Sequence, residues 1–399
     1  MKKSFSLMAM VMLIISTMPI VLGVDVGTGI GIIVTPEEFE PLIWGCDSRT
    51  VYDDTIEPGR STIAGEFLQE RTNNYAFEGE QIEWEVLVMD KNKIEQIQDV
   101  VGTIGSVQGV GNDIEVECIK DSSYSTEVDE SCNARILEED LTGDVIDSNT
   151  QQYYKCTLTV ETPDSMYGEY FITVEAMGTD GSVTMDENEF WFLNPVIALS
   201  VDGDLEFENV RPGTVSYSDT LLVGNDGDDG SGVLLDMFIS GTDFYDSSSS
   251  GARCPTTNRL KLGDQAMVDS NNGPADGSEV DDGGICNINL QGTETGDHLC
   301  YYATQGAYST QNDPRKDPEG YVGIHYADQF KTDFYNDAEI IAPTNAIGGG
   351  LISLGGVNYF AGNVLTPGSE IAMTFKLGLP EPCVGNFDSG DIFFWGEAI

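Results

Sequence analysis

The chain has 399 residues, and its 68 aspartates and glutamates against 18 lysines and arginines give a formal charge of −50. Such a field repels nucleic acid and anionic membrane surfaces, attracts cations, and repels itself until ions screen it. With only His298 and His325 present, most histidine-based metal and triad constellations are excluded as well.

The N-terminus reads Met1-Lys2-Lys3 and then an apolar run from about Phe5 to Leu22, closed by the small Gly23. This predicts a secretory signal peptide over residues 1–23. The competing reading is an uncleaved anchor, since the run nearly matches the thickness of a bilayer. No later stretch is apolar for long enough to span, so no transmembrane segment is expected after signal removal, and the mature protein is placed outside the cell, at its surface. The β-branched stretch Ile30-Gly31-Ile32-Ile33-Val34, freed at the mature N-terminus, is expected to pair as a strand with a sheet edge of its own or a neighbouring subunit.

Residues 24–195 form the first expected domain. Along Gln81 to Val88, period-two alternation puts Ile82, Trp84, Val86 and Val88 on one side of a strand and Glu83 and Glu85 on the other. The same logic groups Ile114, Val116 and Cys118, and likewise Cys156, Leu158 and Val160. All eight cysteines follow the signal, as suits an oxidising compartment, and no close C-x-x-C pair suggests zinc. Two inward-facing cysteines are natural partners, so Cys118 is expected to pair with Cys156, which leaves Cys46 for Cys132; four cysteines permit three connectivities, and the second pair follows only by elimination. For Cys254, Cys286, Cys300 and Cys383, in the second half, the connectivity stays open.

From Asp164 to Ala176 the chain resembles the corner and penultimate strand of immunoglobulin-like domains, in which a tyrosine two residues before an inward position bonds back to the corner backbone. Tyr170 takes that place and Ile172 the inward one, where an antibody domain has cysteine. That departure favours the broad sandwich class over an antibody-type domain. Phe190, Trp191 and Phe192 then lead through Pro195 into the second expected domain, residues 196–399.

This domain opens with Ile197 to Val201, a turn at Asp202-Gly203-Asp204, and Leu205-Glu206-Phe207. Pro212-Gly213 and Pro367-Gly368 each predict a type II turn, because proline presets the first φ and glycine accepts the positive one. The second precedes the alternating strand Ile371 to Leu377. Short alternating strands between turn signals, with no long 3.6-period stretch after the signal, predict an all-β protein of two consecutive immunoglobulin-like β-sandwich domains. The stretch from Val196 to Ser240 resembles modular immunoglobulin-like repeats of prokaryotic surface proteins.

Five segments extend the likeness to most of the mature chain: Phe39 to Cys46, Tyr75 to Gln81, Glu161 to Tyr170, Gly241 to Asp246, and Phe394 to Ile399. In these the chain resembles secreted, surface-layer-like proteins of small-genome archaea. The resemblance implies a cell-envelope component and brings no family chemistry with it.

Carboxylates gathered with glycine in loops are candidate hard-cation ligands. One loop, Asn225 to Gly230, offers Asp226, Asp228 and Asp229; a second, Asp264 to Asp282, offers Asp269, Asp276, Glu279, Asp281 and Asp282. The named calcium ligands are Asp226, Asp228, Asp229, Asp276, Asp281 and Asp282. The second loop lies between Cys254 and Cys286 and reads as a stapled insertion. The first is no EF-hand, since Gly230 stands where the fifth-place ligand would be, and the plainer reading of both loops is a solvated turn.

Enzyme signatures are thin. There is no H-E-x-x-H and no G-x-S-x-G, and Asp388-Ser389-Gly390 resembles half of an aspartic-protease site whose second half is missing. No catalytic residue is named, although a hydrolase built on two carboxylates stays open. Tyr153, Tyr154, Tyr301, Tyr302, Tyr321 and Tyr326 are candidates for stacking on sugar rings. No N-x-[ST] acceptor occurs, which counts modestly against a surface layer of the N-glycosylated kind. The expected function is therefore a secreted structural protein of the envelope, a surface-layer or filament subunit joined to itself or to other surface proteins by strand edges and calcium. The alternative is an adhesin or glycan-binding module.

Overall fold

The computed structural model describes residues 33–53, 68–109, 114–123, 126–132, 141, 143–179, 181–185, 189–262, 286–291, 297–313, 315–326, 339–341, 351–354 and 357–399. The signal peptide 1–23, residues 30–32 of the predicted N-terminal strand, and Asp276, Asp281 and Asp282 lie outside the described residues. Ile33 and Val34 are exposed and belong to no strand. Among the described residues the fold is all-β, with no α-helix, and its strands form several sheets, as β-sandwich folds do.

The first sheet has ten strands: β1 (Leu42–Asp53), β2 (Leu68–Thr72), β3 (Tyr75–Ala76), β4 (Glu80–Met89), β5 (Ile97–Gly105), β6 (Ile114–Asp121), β7 (Gln151–Thr159), β8 (Gly168–Gly178), β9 (Gly181–Thr184) and β10 (Phe190–Leu193). Its order is β2-β1-β4-β7-β6-β5-β8-β10-β3, with β9 on β8. Nine strands laid flat would separate β2 from β3 by about 38 Å at the usual strand spacing. Yet only Asn73 and Asn74 join them, a reach of about 11 Å. The sheet must therefore roll up until its two edges nearly meet, and the roll encloses a core. Ile82, Trp84, Val86 and Val88 point into it, joined by Ile104, Val116, Ile172 and Trp191, all buried. The Tyr170 hydroxyl donates to the Ser165 carbonyl at 3.3 Å, so the tyrosine-corner contact is present.

The second half supplies β11 (Leu199–Asp202), β12 (Thr214–Tyr217), β13 (Leu221–Asn225), β14 (Leu235–Gly241), β15 (Phe244–Tyr245), β16 (Arg259–Leu260), β17 (Leu299–Gln305), β18 (Tyr308–Ser309), β19 (Val322–Gly323), β20 (His325–Tyr326), β21 (Leu351–Leu354), β22 (Val357–Phe360), β23 (Val364–Leu365), β24 (Glu370–Leu379) and β25 (Ile392–Ala398). A seven-stranded sheet runs β11-β13-β24-β17-β18, with β12 on β24 and β19 on β17. A four-stranded sheet joins β20, β23 and β25 around β14. Ile371, Met373, Phe375 and Leu377 of β24 pack with Leu299, Tyr301 and Ala303 of β17 against Leu235, Met237 and Ile239 of β14. Two sheets facing each other through one core make the sandwich. Both Pro-Gly turns form: Thr214 N–H reaches the Arg211 carbonyl at 3.2 Å and Ser369 N–H the Thr366 carbonyl at 2.9 Å, with Gly213 and Gly368 at φ 77° and 76°.

The ten-stranded sheet ends at Leu193 and the next strand begins at Leu199, on either side of Pro195. Contacts nevertheless group Glu40–Ile399 into one compact unit. Tyr75 and Phe192 belong to the second core, and the buried Tyr75 hydroxyl donates to the Ile399 carbonyl at 2.6 Å.

Four disulfides use all eight cysteines. Cys118 and Cys156 are directly opposed on β6 and β7 and are bonded, and Cys46 is bonded to Cys132. In the second half Cys254 joins Cys383, and Cys286 joins Cys300. This corrects the expectation of a stapled insertion, because Cys254 and Cys286 are not partners. Val384 N–H bonds the Arg253 carbonyl at 2.9 Å, which brings the chain after β24 to Cys254, while Cys286 is tied to β17. The acidic stretch between them is thus anchored at each end to a different element.

Candidate functional site

The loop after β13 is built by hydrogen bonds of its own. Asn225 is buried, and its side-chain amide donates to the Val233 and Leu365 carbonyls at 3.1 and 3.0 Å and accepts from Gly227 N–H at 3.0 Å. Asp228 Oδ2 accepts the backbone N–H of Val196 at 2.8 Å and the Tyr167 hydroxyl at 3.0 Å. Asp226 and Asp229 are exposed. The three carboxylates do not converge on a common point: among the described residues, the one trio of ligand-type side chains gathered within 4.8 Å is Cys286, Asp297 and Cys300. There the two sulfurs are joined to each other, so no thiolate is offered. Asp228 thus fastens the loop, and its sequence signal, Asp and Asn among glycines, is that of a turn.

The outward face of the ten-stranded sheet holds a charged group that alternation placed there but did not connect. Glu85 lies between Cys46 on β1 and Lys155 on β7. Lys155 Nζ stands 3.4 Å from both Glu83 Oε1 and Asp121 Oδ2, so one ammonium serves two carboxylates. Burial pushes the Glu85 carboxyl up to about 7; Lys155 opposes this, and Asp121, Asp129 and Glu83 add to it. The segment carrying Asp129 and Cys132 covers this face, with Asp129 N–H donating to the Tyr153 hydroxyl at 3.1 Å.

A second raised carboxyl sits on β14, which is buried along all seven of its residues. Burial lifts Asp236 to about 6, against the hydrogen bond from the Asn363 amide, and Glu397, directly across on β25, lifts it further. Such a group is the kind of acid a hydrolase uses. It lies between strands on both sides, and its partner Asn363 is fully buried.

Both histidines are buried. His298 Nδ1 accepts the Lys261 N–H at 3.1 Å; desolvation holds its pKa down near 4, so the ring is neutral. His325 lies at the end of the four-stranded sheet, opposite Ser240. Asp388 accepts the backbone N–H and hydroxyl of Ser247 at 3.2 and 2.8 Å, and Ser389 pairs antiparallel with Tyr245, so Asp388-Ser389-Gly390 is a bridged segment before β25.

The tyrosines divide sharply. Tyr153, Tyr154 and Tyr301 are buried, and the Tyr301 hydroxyl donates to the Ile340 carbonyl at 2.7 Å. Tyr302, the next residue along the strand, faces the other way and stands with Tyr321 and with Tyr217, which sequence reasoning did not single out. Lys376 bonds Asp317 and Glu319 beside these rings. This cluster on the outer face of the seven-stranded sheet is the most elaborated surface among the described residues. A shallow depression lined by Val107, Phe171, Thr173 and Met185 is the other candidate, and it has no charged side chain. No protein-family model matches this chain, and no curated protein is significantly similar to it.

Proposed function

We propose that this chain is a secreted structural protein of the cell envelope, a surface-layer or filament subunit. The observation that carries the reading is the pairing of all eight cysteines within an all-β fold, because such bonds persist in oxidising compartments and are rare in reducing ones. An excess of fifty negative charges on a cross-linked sandwich suits a surface bathed in cations.

Assembly has a natural place on β11, the edge of the seven-stranded sheet. Val201 within it, and Val196 and Ile197 just before it, are 50, 48 and 44% exposed. An apolar edge with unpaired backbone groups is a template for another strand. Exposed Asp226 and Asp229 lie just beyond β13, the strand next to it, where calcium between acidic surfaces would offset the repulsion of like-charged copies. In this reading calcium acts between subunits.

Labelling intact cells with a membrane-impermeant amine reagent and then fractionating them tests the proposal. The chain is expected among the abundant labelled proteins of the envelope fraction, with no free thiol. Recovery in the unlabelled cell interior, with reduced cysteines, would overturn it.

A further inference from the structure

The tyrosine cluster is a group of side chains that an edge-to-edge structural role does not use. Tyr217 on β12 lies directly across from Lys376 on β24, and Tyr302 on β17 across from Thr374. All four therefore share the sheet face opposite to Ile371, Met373, Phe375 and Leu377, which fill the core. Residues 317–321 fold over this face and are fixed there. Asp317 Oδ1 accepts the backbone N–H of Glu319 and of Tyr321 at 2.8 and 2.9 Å, and Asp317 N–H donates to the Tyr321 carbonyl at 2.8 Å. Gly320, at φ 95°, passes so near Tyr302 that a Cβ would come within 2.7 Å of the ring.

The rings stand in a row. Tyr321 is 5.8 Å from Tyr217 and 5.7 Å from Tyr302, centroid to centroid, tilted by 50° and 52°. Two of the rings are pinned by their hydroxyls: Tyr217 donates to Glu319 Oε2 at 3.0 Å, and the central Tyr321 shares a hydrogen bond of 3.3 Å with Thr374 Oγ1. Lys376 Nζ bonds Asp317 Oδ2 at 2.7 Å and Glu319 Oε2, 5.4 Å from the Tyr321 centroid. Yet the outer end stays open, since Tyr217 is 51% exposed and the Glu319 side chain 53%.

We propose that this surface binds a neutral sugar ring of a glycan, stacked on Tyr217 with a hydroxyl on the exposed Glu319 carboxylate. A sugar offers what the surface asks for, an apolar C–H face for the ring and hydroxyl groups that replace water on that carboxylate. A wholly apolar partner would strip that water and return nothing. Two carboxylates against one ammonium, on a chain of charge −50, repel uronic and sialic acids as well as nucleic acid. Because ring, carboxylate and ammonium are already fixed to one another, little side-chain freedom is lost when the ligand arrives.

The test uses the full secreted chain on an array of neutral oligosaccharides of glucose, galactose, mannose and N-acetylglucosamine, with sialylated and uronic-acid glycans alongside. A neutral glycan is expected to bind, and titration in solution should show Tyr217→Ala weakening it about five- to tenfold. Tyr217→Phe should keep most of the affinity, since the ring remains, and Glu319→Gln should lower it. Melting temperatures within a degree or two of the parent's, roughly what substitution of such exposed side chains allows, separate these losses from misfolding. Three results would overturn the proposal: no neutral glycan bound, equal affinity in Tyr217→Ala, or capture of an anionic glycan or a protein in its place. None of them bears on whether the chain is a surface subunit.

Discussion

Replacing Cys254 and Cys383 together by alanine lowers unfolding free energy by about 5 kcal/mol, and replacing Cys46 and Cys132 by about 4.5 kcal/mol, because each bond closes a long loop in the unfolded chain. The bonded residues are 129 and 86 positions apart. On the same reasoning Cys118–Cys156, 38 apart, contributes about 4 kcal/mol, and Cys286–Cys300, only 14 apart, about 3 kcal/mol. Denaturant unfolding of the four double variants should return that order, with two displacements. Cys156 and Cys300 are both fully buried, so their alanine variants leave voids and fall further than loop length alone requires. Cys46–Cys132 has a second role, since it holds the segment with Asp129 onto the face that carries Glu85. Its loss should therefore let water reach Glu85 and bring that carboxyl down from about 7. Four equal losses would contradict the loop argument.

Acidification from pH 8 to about 6.5 should make the protein more stable, the reverse of ordinary acid unfolding; below that, buried His298, held down near 4, subtracts part of the gain because the unfolded chain takes up its proton first. Glu85, raised chiefly by burial to about 7, and Asp236, raised chiefly by burial to about 6, are the groups responsible for the gain. Above their folded pKa values both are charged in folded and unfolded chains alike, and the folded state bears the cost of a buried charge. As pH falls through 7 and 6 the folded state takes up protons that the unfolded chain, with ordinary carboxylates, does not yet bind, so their contribution to stability grows until both states are protonated. Discounted for the partial exposure of Glu85, the gain is about 1–2 kcal/mol per group. Below about pH 4 the direction turns. Asp129, held low by the Ser131 N–H, and Asp317, held low by Lys376 and two backbone N–H groups against the effect of burial, must then be protonated at the expense of those bonds. Thermal unfolding across pH 8 to 3 checks this. Glu85→Gln should be more stable than the parent at pH 8 and should lose the part of the slope centred near 7. General repulsion among exposed carboxylates also relaxes on acidification, but salt screens it, and the share due to Glu85 should persist at high salt.

Alternation along single strands was legible because burial of one face leaves a period-two signature, as in Ile82, Trp84, Val86 and Val88. It also sufficed to align Cys118 with Cys156. Turn chemistry was legible for the same local reason, since Pro-Gly admits few conformations. What escaped depends on which strands become neighbours. The roll of the first sheet follows from β3 pairing with β10, which nothing near Tyr75 announces. Asp236 and Ser240 make β14 look half-polar, yet strands on both sides bury it throughout. At the candidate site, Tyr302 and Tyr321 were marked but not told apart from Tyr301, because two adjacent aromatic residues give no clue to which faces inward. Tyr217 was missed altogether, since only the registers of β12 and β17 on β24 bring it to the others. The acidic loop at 225–230 had the composition of a cation site and proved to be fastened by Asn225 and Asp228.

The proposed surface role requires assembly, and negative-stain electron microscopy of the chain, disulfides intact, carried from chelator into millimolar calcium, measures that directly. Ordered sheets or filaments that form with calcium and dissolve on chelation are the expected result. A monodisperse monomer at every calcium level would contradict the account.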